Sequence, residues 1–165
     1  MQRLILIRHA KAERDAPSGE DFDRPLSDRG RHESTRLGVR LAEAGFTPDL
    51  AIVSAAARTA ETWEYVCKAW GAVETRATRD LYEASSATIL DAARQADDAE
   101  TVAVVVHNPS AQALAVDLLR RSGADEEARR AERKFAKGAA IVVDLTGGAP
   151  AFEGSFYPED DPADH

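Results

Sequence analysis

The sequence predicts an α/β fold, a three-layer αβα sandwich in which helices flank both faces of a mainly parallel sheet. Three observations lead there. Short runs rich in Ile, Leu and Val occur at residues 4–7, 50–53 and 102–106. Such runs, bounded by polar residues, are the pattern of strands buried on both faces. Stretches with helical periodicity alternate with them, as in α/β folds. Each run also ends in a similar way: Arg8-His9-Ala10 after the first, Ser54 and then Arg58 after the second, His107-Asn108-Pro109 after the third. Ligands of open parallel sheets bind just beyond the carboxyl ends of the strands. The fold class therefore brings two histidines and two arginines to one edge. Arginines around histidines suit an anion, above all a phosphoryl group.

The elements follow in order. Residues 2–7 read as the first strand and residues 10–26 as a polar loop containing Pro and Gly. Ser27 is a suitable N-cap, with Asp28 placed in the first turn to complement the helix dipole. The helix it opens runs to about Ala44, with Leu37, Leu41 and Ala44 on one face, and Gly45 ends it. Pro48-Asp49 turns the chain into a strand at 50–54. Residues 56–70 form a second helix that carries Trp63, Val66 and Trp70 at helical spacing, with both tryptophans expected in the core. Residues 86–96 read as helix, 101–106 as strand and 110–121 as helix with Leu114, Leu118 and Leu119 inward. Pro109 fits the entry to that helix. Residues 125–134 read as a charged, solvated helix. Residues 140–145 form a further strand and 151–156 one more at an edge.

At 165 residues, 44% hydrophobic and 30% charged, the chain is expected to form one domain over residues 1–157, followed by an acidic, mobile tail at 158–165. Its apolar runs are far shorter than the roughly 20 residues a membrane span needs. Arg8 and His9 interrupt the first apolar stretch and no cleavage-like site follows, so no secretory signal is read there. Cys67 is the sole cysteine; it excludes an intrachain disulfide, is expected in or near the core, and points to a cytoplasmic location. The net charge of −8 argues against nucleic-acid binding, which needs a basic footprint. It also opposes an anionic substrate at long range, so an anion site must be local.

His9 is the candidate nucleophile, because imidazole attacks phosphorus only when neutral and neighbouring guanidinium groups disfavour its protonation. A strand-end histidine capped by backbone is the structural alternative. Arg8 and Arg58 are candidate clamps, each offering a planar fork to two oxygens. Arg58 stands at the start of a helix, whose dipole assists an anion; taken alone it could equally pair with Glu61 or Glu64. His107 is the candidate hydrogen-bond donor to the phosphoryl group, or else a satisfied buried histidine. Glu83, in Leu81-Tyr82-Glu83-Ala84-Ser85, is the candidate general acid. Arg24 either reaches the substrate or holds a turn. His32 and His165 read as bystanders. No ligand set with metal spacing, no Walker loop, no Gly-x-Gly-x-x-Gly and no Gly-x-Ser-x-Gly is present, so no metal or cofactor is expected.

These residues resemble the motifs of the histidine phosphatase superfamily, the phosphoglycerate mutase-like family. Arg8-His9-Ala10 resembles its Arg-His-Gly. The segment from Arg24 to Gly30 resembles its Leu-Thr-x-x-Gly, residues 54–62 its Ser-x-x-x-Arg-Thr-x-x-Thr, and His107-Asn108-Pro109 its second histidine motif. The order and spacing agree over residues 3–145. The short length and the Leu-Tyr-x-Ala and His-Asn-Pro segments look most like the SixA-type branch of phosphohistidine phosphatases. The resemblance implies that His9 is phosphorylated transiently, that Arg8, Arg58 and His107 surround the phosphoryl group, and that Glu83 is the general acid. It implies a metal-independent, monomeric enzyme acting on a phosphorylated protein or a small phosphorylated molecule. A small-molecule phosphomonoesterase, a phosphomutase on the same fold and a non-catalytic phosphate-binding module are the alternatives. Two positions depart from the pattern. Ala10 replaces the usual glycine, and Val106 stands where a glycine often precedes the second histidine and is expected to tighten the pocket floor.

Overall fold

Alternation of apolar side chains along each strand places one set above the sheet and the other below it. In β1 (Arg3–Arg8), Leu4 and Leu6 join one core cluster while Ile5 and Ile7 join the other. A computed structural model describes residues 1–96 and 98–164, and among them it places β2 (Leu50–Ser54), β3 (Glu74–Thr78), β4 (Thr101–Val106), β5 (Ala140–Asp144) and β6 (Ala151–Phe156) in the same sheet, in the order β3-β2-β4-β1-β5-β6. Helices α1 (Asp28–Glu43) and α2 (Ala57–Cys67) cover one face through Leu37, Leu41, Trp63 and Val66. Helices α3 (Ser86–Arg94), α4 (Ser110–Arg121) and α5 (Asp125–Arg133) cover the other through Ile89, Leu114, Leu118 and Ala128. The three layers are those expected.

The sheet is mixed. β3, β2, β4 and β1 run parallel, whereas β5 pairs antiparallel with both β1 and β6. The connection from β5 to β6 is too short for a parallel crossover and makes an antiparallel pair. β3 has no counterpart among the predicted strands. Its Glu-Thr-Arg-Ala-Thr sequence is mostly exposed at the sheet edge and carries no apolar run. α2 ends at Cys67, short of the predicted 70. Cys67 is partly buried and its thiol donates to the Gly71 carbonyl at 3.2 Å. Trp63 and Trp70 stack with ring centroids 6.2 Å apart. α5 is less solvated than its charge suggests, because Ala128 and Ala131 are buried against α4.

The caps follow the sequence. Ser27 Oγ accepts the Gly30 N–H at 3.1 Å at the start of α1, and Gly45, at φ +89°, supplies the left-handed residue after its end. The acidic segment after Tyr157 was expected to be mobile, yet it lies against the helices through its described residues. Arg36 of α1 reaches both Asp161 oxygens at 2.8 and 3.0 Å, and Asp161 is 1% exposed. Arg130 of α5 grips Asp160 at 2.7 and 3.0 Å with its guanidinium over the Tyr157 ring. His165 lies outside the described residues.

α1 and α2 approach closely at Gly38, where an added Cβ would stand 2.1 Å from the Val66 carbonyl oxygen. Gly38→Ala must push the two helices apart, and overpacking of this kind costs about 1–3 kcal/mol. The midpoint of urea unfolding should fall accordingly with the slope unchanged; an unaltered midpoint would show that the helices part freely.

Candidate active site

The register of three adjacent strands builds the site. Arg8 on β1 lies opposite Val106 on β4, and Val53 on β2 lies opposite Val105. One residue further on, each strand delivers a polar side chain: His9, His107 and Ser54. The two imidazole rings are 5.4 Å apart, centroid to centroid.

His9 is buried, 7% exposed, and its backbone N–H donates to the Val106 carbonyl at 3.1 Å. Its Nδ1 lies 2.8 Å from the Ala10 carbonyl oxygen. A carbonyl can only accept, so Nδ1 carries the proton and Nε2 keeps its lone pair. Thr62 of α2 holds the same residue by its amide, its Oγ1 accepting the Ala10 N–H at 3.0 Å. Burial first, then the charges of His107, Arg58 and Arg8, push the His9 pKa down to about 3, against the opposing effect of the Ala10 hydrogen bond. The ring is therefore neutral near pH 7, with the lone pair on Nε2.

His107 Nε2 lies 2.8 Å from Ser54 Oγ. Burial and the Arg58 charge push this ring down to about 4. Arg8 donates from Nη1 to the Phe135 carbonyl at 2.9 Å, and the Asn108 amide reaches the same oxygen at 3.3 Å. Burial lowers the Arg8 pKa from its ordinary value, yet arginine stays charged. Arg58, in the first turn of α2, is 7% exposed. It pairs with neither Glu61 nor Glu64. Its Nη1 donates to the Asp21 carbonyl at 3.0 Å and its Nη2 to the Asp21 carboxylate at 3.1 Å. Among the described residues, five buried side-chain polar atoms have no hydrogen-bond partner: Arg8 Nε, Arg58 Nε, His107 Nδ1, Ser34 Oγ and Tyr157 Oη. Three of these belong to the residues that the sequence picked out as anion ligands.

Asp21 is a residue that the sequence reading missed. It sits in a short 3-10 turn (Asp21–Asp23) in the loop before α1. Its carboxylate receives Tyr82 Oη, Arg24 Nε at 2.9 Å and Arg58. The Tyr82 hydrogen bond leads, with Arg24 and Arg58 adding to it, in pushing Asp21 down to about 2. The signal that was available is its position three residues before Arg24, within the loop that follows the catalytic strand. Arg24, expected to reach the substrate, stands behind Asp21 and also holds the Glu13 carbonyl at 2.9 Å. A cavity of about 340 Å³ opens beside this cluster, lined among others by Asp21, Arg58, Tyr82, Glu83, His107 and Asn108. Glu83 is exposed at that cavity. Val106 does not tighten it. Its side chain is fully buried in the core on the α3–α4–α5 face. Among the described residues no group of three or more His, Cys, Asp or Glu is placed to hold a metal ion, and no helix is long and apolar enough to cross a membrane.

The fold is that of a histidine phosphatase. Residues 4–88 match the sequence model of the histidine phosphatase superfamily, branch 1, and the chain belongs to that superfamily. It is 28% identical, with a TM-score of 0.83, to the crystal structure of a protein assigned as the phosphohistidine phosphatase SixA of Agrobacterium tumefaciens, over 95% of this chain and 98% of that one. An uncharacterized protein of Mycobacterium tuberculosis is 32% identical over 144 residues, 86% of this chain and 88% of its own length. A chloroplastic protein of Arabidopsis thaliana is 43% identical over 61 residues, 37% of this chain but 28% of its own length.

Both histidines are held below their ordinary value, so the unfolded chain binds protons at these rings that the folded chain refuses. Stability should therefore fall as the pH drops through about 6.5, the ordinary histidine value, towards the folded values of about 3 and about 4. Urea unfolding at pH 7 and pH 5 measures this, and His9→Asn should reduce the difference. An identical difference in the variant would show that His9 protonates as easily folded as unfolded.

Proposed function

We propose that this chain is a metal-independent phosphatase of SixA type, which hydrolyses a phosphoryl group through a phosphohistidine at His9. The observation that carries the reading is the trio of buried, unpartnered nitrogens on Arg8, Arg58 and His107. Buried polar groups nearly always find partners, and the three oxygens of a phosphoryl group would supply them beside the His9 nucleophile. Membership of the superfamily and the likeness to the A. tumefaciens protein support the same activity.

In this reading His9 Nε2 attacks phosphorus in line. Arg8, Arg58 and His107 hold the equatorial oxygens, where charge gathers in the transition state. The leaving group departs into the 340 Å³ cavity and takes a proton from Glu83. Asp21, the other carboxylate there, is held ionised by Tyr82 and two arginines and has no proton to give. Water then attacks the phosphohistidine and gives a proton back to Glu83, the N–P bond breaks and His9 is restored. The positive charge comes from arginine, so the chemistry needs no metal. In this reading the substrate is a phosphorylated protein or a small phosphorylated molecule, phosphohistidine being the labile donor that such a cradle suits, and the enzyme is read as a cytoplasmic monomer.

His9→Ala should abolish turnover, and rapid quench of the native protein with labelled substrate should trap phosphate on His9. Arg58→Ala should lower kcat/KM on the order of 10²-fold or more for every substrate, as loss of an oxyanion donor does. Near-native activity in the His9 variant would refute the mechanism. Glu83→Gln should act differently. An alkyl phosphate needs a proton on its departing oxygen and should lose much of its rate, whereas nitrophenyl phosphate or a ring-protonated phosphohistidine should lose little. Equal losses across these substrates would remove Glu83 as the general acid.

A further inference from the structure

Ser54 ends β2 and is fully buried. Among the described residues its hydroxyl has one hydrogen-bond partner, His107 Nε2, at 2.8 Å. Two arrangements of protons fit this contact. With the proton on Nε2, Ser54 accepts; its own O–H then has no acceptor, and the lone pair left on Nδ1 is buried without a donor. With the proton on Nδ1, Ser54 donates to Nε2 and both are satisfied, which leaves a single unmet group, the Nδ1–H. Leaving a buried polar group unmet is costly, so the second arrangement, with fewer unmet groups, is favoured. It also presents a donor where the proposed phosphoryl oxygen lies, whereas the first would set a lone pair against an anion.

We infer that Ser54 is a positioning residue that holds neutral His107 with its proton on Nδ1 and thereby makes it a hydrogen-bond donor to the phosphoryl group. The donor role rests on the phosphatase reading; the tautomer does not. The strand register explains why a serine can do this. Val53 lies opposite Val105, so Ser54 and His107 leave neighbouring strands within hydrogen-bond reach. Thr59 adds to the fit, because its Oγ1 donates to the Ser54 carbonyl at 2.7 Å and ties the end of β2 to the first turn of α2. With the burial and the Arg58 charge that keep the ring neutral near pH 7, the hydroxyl decides which nitrogen carries the proton.

The nitrogen chemical shifts of ¹⁵N-histidine-labelled protein at pH 7.5 test this without recourse to activity. Native protein should show His107 protonated at Nδ1 and unprotonated at Nε2. Ser54→Ala should move proton density to Nε2 while leaving His9 protonated at Nδ1. The same variant should lose about tenfold or more in kcat for nitrophenyl phosphate, since an aligned donor to the transition state is worth 10²-fold or more when removed outright. A native spectrum with the proton on Nε2 overturns the inference, whether or not the variant folds. So does a folded variant with unchanged ring shifts. The Nδ1–H tautomer in native protein that hydrolyses no phosphoryl substrate would refute the phosphatase reading and leave the role of Ser54 in place.

Discussion

Arg8, Arg58 and His107 are each held through part of the side chain and leave one nitrogen unpaired. Arg8 is held at Nη1 by the Phe135 carbonyl, Arg58 at both Nη atoms by Asp21, and His107 at Nε2 by Ser54; Arg8 Nε, Arg58 Nε and His107 Nδ1 stay buried without partners. His9 follows the same rule in reverse. Its Nδ1–H is taken by the Ala10 carbonyl, and the lone pair of Nε2 is left to react. A side chain anchored this way has little orientational freedom to lose when an anion arrives. In the proposed reading its unmet donor gains a partner when the phosphoryl group binds, so binding would remove a cost the folded chain carries. The remainder of the architecture serves to place these anchors.

The sheet supplies the placement. Three parallel strands in the order β2-β4-β1 end within one residue of each other in register. Parallel pairing needs crossovers, and the helices that make them cover both faces. The strands can therefore be apolar throughout and rigid to their ends. β5 and β6 do not contribute ligands, but the turn before β5 does. The Phe135 carbonyl holds Arg8, and the Gly138 N–H donates to the His9 carbonyl at 2.9 Å. Phe135 is itself packed against Tyr157, beneath Arg130. The acidic C-terminal segment is thus tied, through Arg130 and Tyr157, to the turn that steadies Arg8.

Electrostatics act over short distances here. The chain carries a net charge of −8, which repels an anion from afar and is screened within about 8 Å at physiological salt. Two guanidinium groups, Arg58 buried and Arg8 half-buried, and the strand-end imidazoles set the local field. Burial first, and then the neighbouring positive charge, hold both histidines neutral near pH 7, which suits the two roles proposed for them. Asp21 balances part of this charge through Arg58 and Arg24. It stays ionised because three donors converge on it.

The sequence by itself determined the layers, most of the elements and the chemistry-bearing side chains. Those are local properties. A run such as Val102-Ala103-Val104-Val105-Val106 reads as a buried strand, Ser27 can cap the helix that follows it, and Arg8-His9, Arg58 and His107 fall at or just beyond strand ends wherever those strands pair. It could not show β3, whose polar edge residues carry no burial pattern, nor the antiparallel turn of β5 and β6, nor the docking of the acidic tail. Arg36 and Arg130 reach Asp161 and Asp160 across long stretches of chain. The tertiary structure alone decided which partner each ligand takes. Arg58 could have paired with Glu61 one turn along its own helix and instead pairs with Asp21 from a loop 37 residues away. Val106 could have filled the pocket, but the alternation of β4 turns it into the core. Ser54 and His107 are 53 residues apart in sequence and 2.8 Å apart in the fold. Hydrogen bonds of that reach depend on strand order and register, and no local pattern of residues encodes either.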